Sequence, residues 1–293
     1  MYVYILRAKQ YKMKNIVPYN ENTFDFHKKV ISKKRNPNTD PNYKTMVLSY
    51  NDAIQAAFTS YDEKFIDNQL EEIQRIGYTG VDKERLLKLY SYKAKIFQKL
   101  KVKMTTRGDN IIDNICQNCT ISEVNSFDYI LPKDEFCEFV VHPKNLFPSC
   151  TKCNSYKNAA WLEDGRRLFL NLYTDILPSE QYLFVEIEIE DDDLKLTYSI
   201  DNRNNITVDL FNIINTHYEK LHLCQRFKEN SDVVVSELEI EINKYKLDIP
   251  INRIKEIVQD ECIAQKELLG HNYWKAILKL ALINNEKYMS RFN

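Results

Sequence analysis

Two neighbouring stretches of the chain, residues 184–190 and 194–200, alternate apolar and polar side chains on either side of an Asp-rich turn. Because successive side chains of a strand point to opposite faces, this alternation places the apolar residues together on one face. The pattern therefore predicts a β-hairpin with one buried face.

The C-terminal part of the chain has a different period. From residue 208 to about residue 289, apolar residues recur every three or four positions, and Pro250 and Gly270 interrupt the pattern. This spacing lines apolar side chains along one side of a helix. We therefore expect several packed helices after the hairpin.

The N-terminal part also shows helical spacing. Residues 49–77 predict two short helices, with Ser60 capping the second and Gly77 ending it. Residues 82–107 predict one further helix, whose apolar positions near one face are Leu86, Tyr90, Phe97 and Leu100. The predicted fold class is therefore α+β and mainly helical.

Composition narrows the class of protein. The 293 residues include 41 Lys and Arg against 42 Asp and Glu, and this formal net charge of -1 argues against a surface that attracts polyanions everywhere. Only 5 Gly occur, and no Walker A or dinucleotide-binding fingerprint is present. No apolar run is long enough for a signal peptide or a membrane span, so we expect a cytoplasmic protein with no membrane partner.

Positive charge is concentrated in two N-terminal segments. Residues 1–50 form an arm with ten basic and three acidic residues, and residues 82–107 contain nine basic and two acidic residues. The second segment could lie along a phosphate backbone. An ordinary solvated helix face accounts for its charges equally well.

Four of the 7 cysteines form two Cys-x-x-Cys pairs, and the pair Cys116 and Cys119 is separated from the pair Cys150 and Cys153 by 30 residues. In a reducing compartment this pattern favours metal binding over disulfides. Four thiolates form a closed tetrahedral zinc site with no position open for catalysis. We therefore predict structural Zn²⁺ and expect any chemistry to use other atoms.

The region around these cysteines, roughly residues 112–160, resembles the HNH endonuclease module of the ββα-metal type. That module has the pattern Cys-x-x-Cys, then Asp-His followed by Pro-Lys, then Asn-Leu, then Cys-x-x-Cys-Asn and a nearby Lys. The corresponding residues here are Cys116, Cys119, Asp128, Tyr129, Pro132, Lys133, Asn145, Leu146, Cys150, Cys153, Asn154 and Lys157. The conspicuous departure is Tyr129, which stands where the family has histidine.

The resemblance implies an embedded ββα-metal module with a structural zinc site of four cysteines. It also implies that Asp128 and Asn154 hold a catalytic Mg²⁺ or Mn²⁺, and carboxylate and amide oxygens do suit a hard cation. Asn145 is implied to brace the loop, although a turn asparagine would explain the same residue. Lys133 and Lys157 are expected to contact phosphates, with solvent-exposed lysine as the alternative for each.

The replacement of the family's general base by Tyr129 leaves three alternatives. Because tyrosine has a pKa of about 10, roughly one molecule in a thousand carries phenolate at pH 7, although a nearby metal and Lys133 would favour the anion. Tyr129 could act as base or covalent nucleophile. His142 could supply an imidazole instead. In the third alternative the module has lost catalysis and binds nucleic acid or a partner protein.

The predicted function is metal-dependent cleavage of nucleic acid, with DNA favoured over RNA as the substrate. The resemblance also implies a setting in prokaryotic anti-phage defence, with an ATPase or sensor subunit as partner. The rival class is a catalytically degenerate, zinc-stabilised binding module. The expected segments are a basic arm and helical region (1–107), the HNH/zinc module (108–178), and the hairpin with C-terminal helices (179–293).

Overall fold

A computed structural model of the protein describes residues 16–106, 110–191 and 193–292. The chain divides into two compact units, the first formed by Ile16–Asp175 and the second including Ile176–Asn293. The mixed α and β content, dominated by helices, confirms the predicted fold class. The basic residues of the predicted arm and helix that lie outside the described residues are Arg7, Lys9, Lys12, Lys14 and Arg107.

The helices of the first unit are α1 (Thr23–Ser32), α2 (Tyr43–Ser49), α3 (Asn51–Ile66), α4 (Gly80–Leu87), α5 (Lys95–Thr105) and α6 (Thr151–Lys157). The prediction of a helix capped by Ser60 is wrong, because Ser60 lies inside the continuous helix α3. The apolar residues Ile54, Phe58, Tyr61 and Phe65 are all buried and continue one stripe past Ser60. Burial of this stripe outweighs a weak capping signal.

The single helix predicted for residues 82–107 is also wrong, since residues 88–94 separate α4 from α5. In this break the ring of Tyr90 packs against Tyr129, and the ring of Tyr92 packs against Phe127. Side chains two positions apart point to different sides of an α-helix. The break therefore allows both tyrosines to reach the same neighbouring strand.

The next elements are two antiparallel strands and a helix. Strand β1 (Ser126–Tyr129) pairs with β2 (Leu146–Ser149), so that Ser126 lies opposite Ser149 and Tyr129 opposite Leu146. Helix α6 begins two residues after β2 and packs against β1. Two short strands, β3 (Leu162–Glu163) and β4 (Arg166–Arg167), follow as an antiparallel pair.

The second unit opens with the predicted hairpin. Strands β5 (Leu183–Glu190) and β6 (Asp193–Ile200) pair in antiparallel register, which confirms the hairpin. The helices that follow are α7 (Val208–Lys220), α8 (Leu223–Glu229), α9 (Ser231–Tyr245), α10 (Ile251–Leu269), α11 (Trp274–Asn284) and α12 (Glu286–Met289). Helix α11 packs against α9, α10 and β5, so the predicted C-terminal helices are confirmed. Among the described residues, no helix is both long enough and apolar enough to cross a membrane.

Candidate active site

The two Cys-x-x-Cys pairs converge in the first unit. The side chains of Cys116, Cys119, Cys150 and Cys153 are buried, and their sulfur atoms all lie within 4.8 Å of one another. The Cys119 and Cys150 sulfurs are 3.9 Å apart. Four sulfurs at about 2.3 Å from one tetrahedral zinc ion would be about 3.8 Å apart. The cluster could therefore hold a metal ion such as zinc.

Local backbone geometry builds each half of this cluster. In the first pair, the backbone N–H of Cys116 donates to Ser122 O at 2.8 Å and that of Thr120 donates to Cys116 O at 2.7 Å. In the second pair, Cys150 is the N-cap of α6, and its sulfur accepts from the backbone N–H of Cys153 at 3.4 Å. The second pair therefore ties the metal cluster directly to the start of α6.

A cleft of about 490 Å³ lies beside β1 and α6. Four of the predicted site residues line it, namely Asp128, Tyr129, Lys133 and Asn154. The cleft is therefore the place where predicted ligands, the residue at the general-base position and one predicted phosphate contact come together.

Asp128 has a buried carboxylate with one oxygen engaged. Its Oδ1 accepts from the Tyr129 backbone N–H at 2.8 Å and lies 3.5 Å from Lys157 Nζ. Burial raises the pKa of Asp128, and the charge of Lys157 opposes that rise. The second oxygen, Oδ2, makes no hydrogen bond with any described residue. It is the atom of this side chain that can coordinate a cation.

Asn154, on α6, is oriented by its amide nitrogen. Nδ2 donates to Phe127 O at 3.1 Å and to Ser126 Oγ at 3.5 Å. In the described part of the chain, Oδ1 has no hydrogen-bond partner. Two residues of one cleft thus each have an oxygen without a hydrogen-bond partner among the described residues, one from a carboxylate and one from an amide. This pair of oxygens fits a hard divalent cation.

The two predicted phosphate-binding lysines lie in different surroundings. Lys133 is exposed and lines the cleft, with Nζ 5.8 Å from the centre of the Tyr129 ring. Lys157 is buried and does not line the cleft. Its Nζ donates to Tyr129 O at 2.6 Å and neighbours Asp128, so its contacts position β1.

Tyr129 lies in the cleft wall with a buried hydroxyl. Its ring packs edge to face against Tyr90, with ring centres 5.6 Å apart. The hydroxyl has no hydrogen-bond partner among the described residues, and burial raises the Tyr129 pKa. The surroundings of this hydroxyl therefore favour the neutral phenol.

His142 is not brought to the cleft. It is fully buried, and its ring packs against Phe58 and Tyr61 with ring centres 4.3 and 4.1 Å away. Its Nδ1 accepts from the Lys144 backbone N–H at 3.3 Å, and burial lowers its pKa well below the usual value. The structure thus places this imidazole in the aromatic core and away from the cleft lining.

Asn145 is fully buried and fastens the loop between β1 and β2. Its Oδ1 accepts from the Leu131 N–H at 2.7 Å, while Nδ2 donates to Leu131 O at 3.1 Å and Phe139 O at 3.2 Å. Its backbone carbonyl also accepts from Ile130 N–H at 3.0 Å. These contacts hold the end of β1, next to Asp128, against the start of β2.

The cleft lining includes two tyrosines and an acid that the sequence did not predict as site residues, namely Tyr90, Tyr92 and Asp134. Asp134 is exposed and directly follows the Pro-Lys of the motif, so its position in the sequence was a usable signal. The two tyrosines carry no such signal, because their spacing fits the single helix that the sequence predicts for residues 82–107.

Comparisons of the chain with protein-family models, with curated proteins and with solved structures found no match.

Proposed function

We propose that the protein is a metal-dependent endonuclease that hydrolyses phosphodiester bonds, with DNA as the favoured substrate. The observation that carries the proposal is the cleft beside the four-cysteine cluster, where Asp128 Oδ2 and Asn154 Oδ1 have no partner among the described residues. The order of two antiparallel strands followed by a helix supports the resemblance to the ββα-metal type.

The two metals have different roles in this proposal. Zn²⁺ bound by the four cysteines is structural, because four thiolates fill its tetrahedral coordination. Asp128 and Asn154 would hold Mg²⁺ or Mn²⁺, which supplies Lewis-acid stabilisation of negative charge on the scissile phosphate. Lys157 stabilises the ionised form of Asp128, which burial alone would disfavour.

Other residues of the cleft would bind the substrate and accept a proton. Lys133 is exposed at the cleft and can bind a phosphate oxygen. The two groups here that could take the proton of the attacking water are Asp134, through its exposed carboxylate, and Tyr129, through its buried hydroxyl. A carboxylate oxygen accepts a proton without first losing one, whereas a phenol must lose its own, and this difference favours Asp134 as the base.

The test is cleavage of plasmid DNA and of total RNA in Mg²⁺ or Mn²⁺ by the full chain and by Asp128→Asn. Asp164→Asn is the matched control, because Asp164 is an exposed aspartate of the same unit that does not line the cleft. We expect the wild type and the control to cleave and Asp128→Asn to lose cleavage. Equal activity of Asp128→Asn would refute the site.

A second outcome would refute catalysis itself. If the folded, zinc-loaded wild type cleaves neither substrate, the endonuclease proposal fails. Nucleic-acid binding without cleavage would then identify the chain as a zinc-stabilised binding module.

A further inference from the structure

Two aromatic side chains line the same cleft as Asp128 and Asn154. Tyr90 and Tyr92 come from the break between α4 and α5, and both are only partly buried. The proposed cleavage chemistry requires neither of them. Their position raises the question of which part of a substrate they contact.

Both tyrosines are held in place. The Tyr90 ring packs edge to face against Phe97, with ring centres 4.9 Å apart, and also against Tyr129. The centre of the Tyr92 ring lies 6.0 Å from that of Phe127, and Gln98 Nε2 donates to the backbone carbonyl of Tyr92 at 2.5 Å. Each ring therefore already packs against an aromatic neighbour before a ligand arrives, which lowers the entropy cost of stacking on it.

The dimensions of the cleft limit what can enter it. Its volume of about 490 Å³ lies in the range of roughly 300–1,000 Å³ that is typical of small-molecule pockets. A base in a duplex is stacked and paired, and enters such a pocket only after it leaves the helix. An unpaired nucleotide has the appropriate size, with a flat base for the tyrosines and a phosphate for the cation-binding oxygens.

We propose that the cleft binds an unpaired nucleotide, with its base against Tyr92 and Tyr90, so that the substrate is single-stranded or locally unpaired nucleic acid. This inference rests on the proposed function, because it assigns the phosphate to Asp128 and Asn154. Base stacking tolerates every base, since each has a π face. The site is therefore expected to discriminate strand state more strongly than sequence.

The test is binding, measured by fluorescence anisotropy at one fixed salt concentration without added Mg²⁺ or Mn²⁺. The probes are a single-stranded DNA oligonucleotide, the RNA of the same sequence and the corresponding DNA duplex. The proteins are the wild type, Tyr92→Leu and Tyr92→Phe, with Tyr156→Leu as control. Tyr156 is an exposed tyrosine of the same unit that does not line the cleft.

We expect the wild type to bind at least one single strand more tightly than the duplex. Tyr92→Leu should weaken that binding by about 5- to 150-fold, which corresponds to ~1–3 kcal/mol for one stacked base. Tyr92→Phe should retain it, because the ring remains. Tyr156→Leu should also retain it. Tighter binding of the DNA or of the RNA strand would show whether the site prefers deoxyribose or ribose, and either preference supports the inference.

Duplex binding as tight as single-strand binding, or unchanged affinity in folded Tyr92→Leu, would overturn the inference. The two proposals fail separately. If wild type and Tyr92→Leu cleave duplex DNA equally, the endonuclease proposal is supported and the stacking site is refuted. If single strands bind in a Tyr92-dependent way but are not cleaved in Mg²⁺ or Mn²⁺, the stacking site is supported and the endonuclease proposal is refuted.

Discussion

Replacing Asn145 by alanine is expected to destabilise the first unit strongly. The substitution removes the partners of two buried backbone groups, the N–H and C=O of Leu131, whereas the C=O of Phe139 still accepts from the His142 N–H at 3.0 Å. Leu131 is 0% exposed, so water cannot replace its two bonds without a structural change. Each buried polar group left unpaired costs ~1–3 kcal/mol, so for these two groups we expect a loss of at least about 2 kcal/mol.

The assay is unfolding of the full chain by urea and by heat, with circular dichroism as the signal. For a unit of this size, a loss of about 2 kcal/mol lowers the midpoint temperature by roughly 4–8 °C. Asn38→Ala is the control, because Asn38 is exposed and its side chain makes no hydrogen bond with any described residue. A change below about 1 kcal/mol for Asn145→Ala would show that these hydrogen bonds do not hold the loop.

Three further outcomes are expected. Cys153→Ser should lower the zinc content measured by atomic absorption, and it should lower the free energy of unfolding by several kcal/mol. Cys224→Ser, outside the cluster, should leave the zinc content unchanged. In the cleavage assay, Asp134→Asn should lose more activity than Tyr129→Phe if the exposed carboxylate accepts the proton; the reverse order would assign that step to the phenol. Burial lowers the pKa of His27 to about 4, and the unfolded chain, with a pKa near 6.5, therefore binds a proton that the folded chain rejects. Stability in urea should fall as the pH drops from about 6.5 towards 4, by up to about 3 kcal/mol, and His27→Leu should flatten that dependence.

The hairpin and the cysteine cluster could be predicted from short patterns in the sequence. The alternation in residues 184–200 was sufficient for β5 and β6, because a short turn fixes the pairing of adjacent strands. The spacing of Cys116, Cys119, Cys150 and Cys153 predicted a cluster, since a four-thiolate site needs its ligands in such pairs. In both cases the interacting residues are themselves the pattern.

Tertiary packing decided what the patterns could not. Ser60 is a good capping residue by type, but its neighbours Phe58 and Tyr61 are buried on one face of a continuous helix. Tyr90 fits a helical apolar stripe, but it packs against a strand residue 39 positions later in the sequence, Tyr129. Neither outcome is encoded within one turn of helix, so propensity and spacing could not distinguish the alternatives.

The cysteine cluster and the cleft are mechanically linked through α6. This helix has seven residues, too few to be stable by itself in water. Its first turn is held by the Cys150 sulfur, and its later residues Asn154 and Lys157 donate to the carbonyls of Phe127 and Tyr129. Loss of a metal from the cysteines would therefore loosen the residues that orient Asn154 Oδ1 and neutralise Asp128. If removal of zinc abolishes cleavage, the loosening of α6 explains that loss. The result would not by itself show that zinc contacts the phosphate.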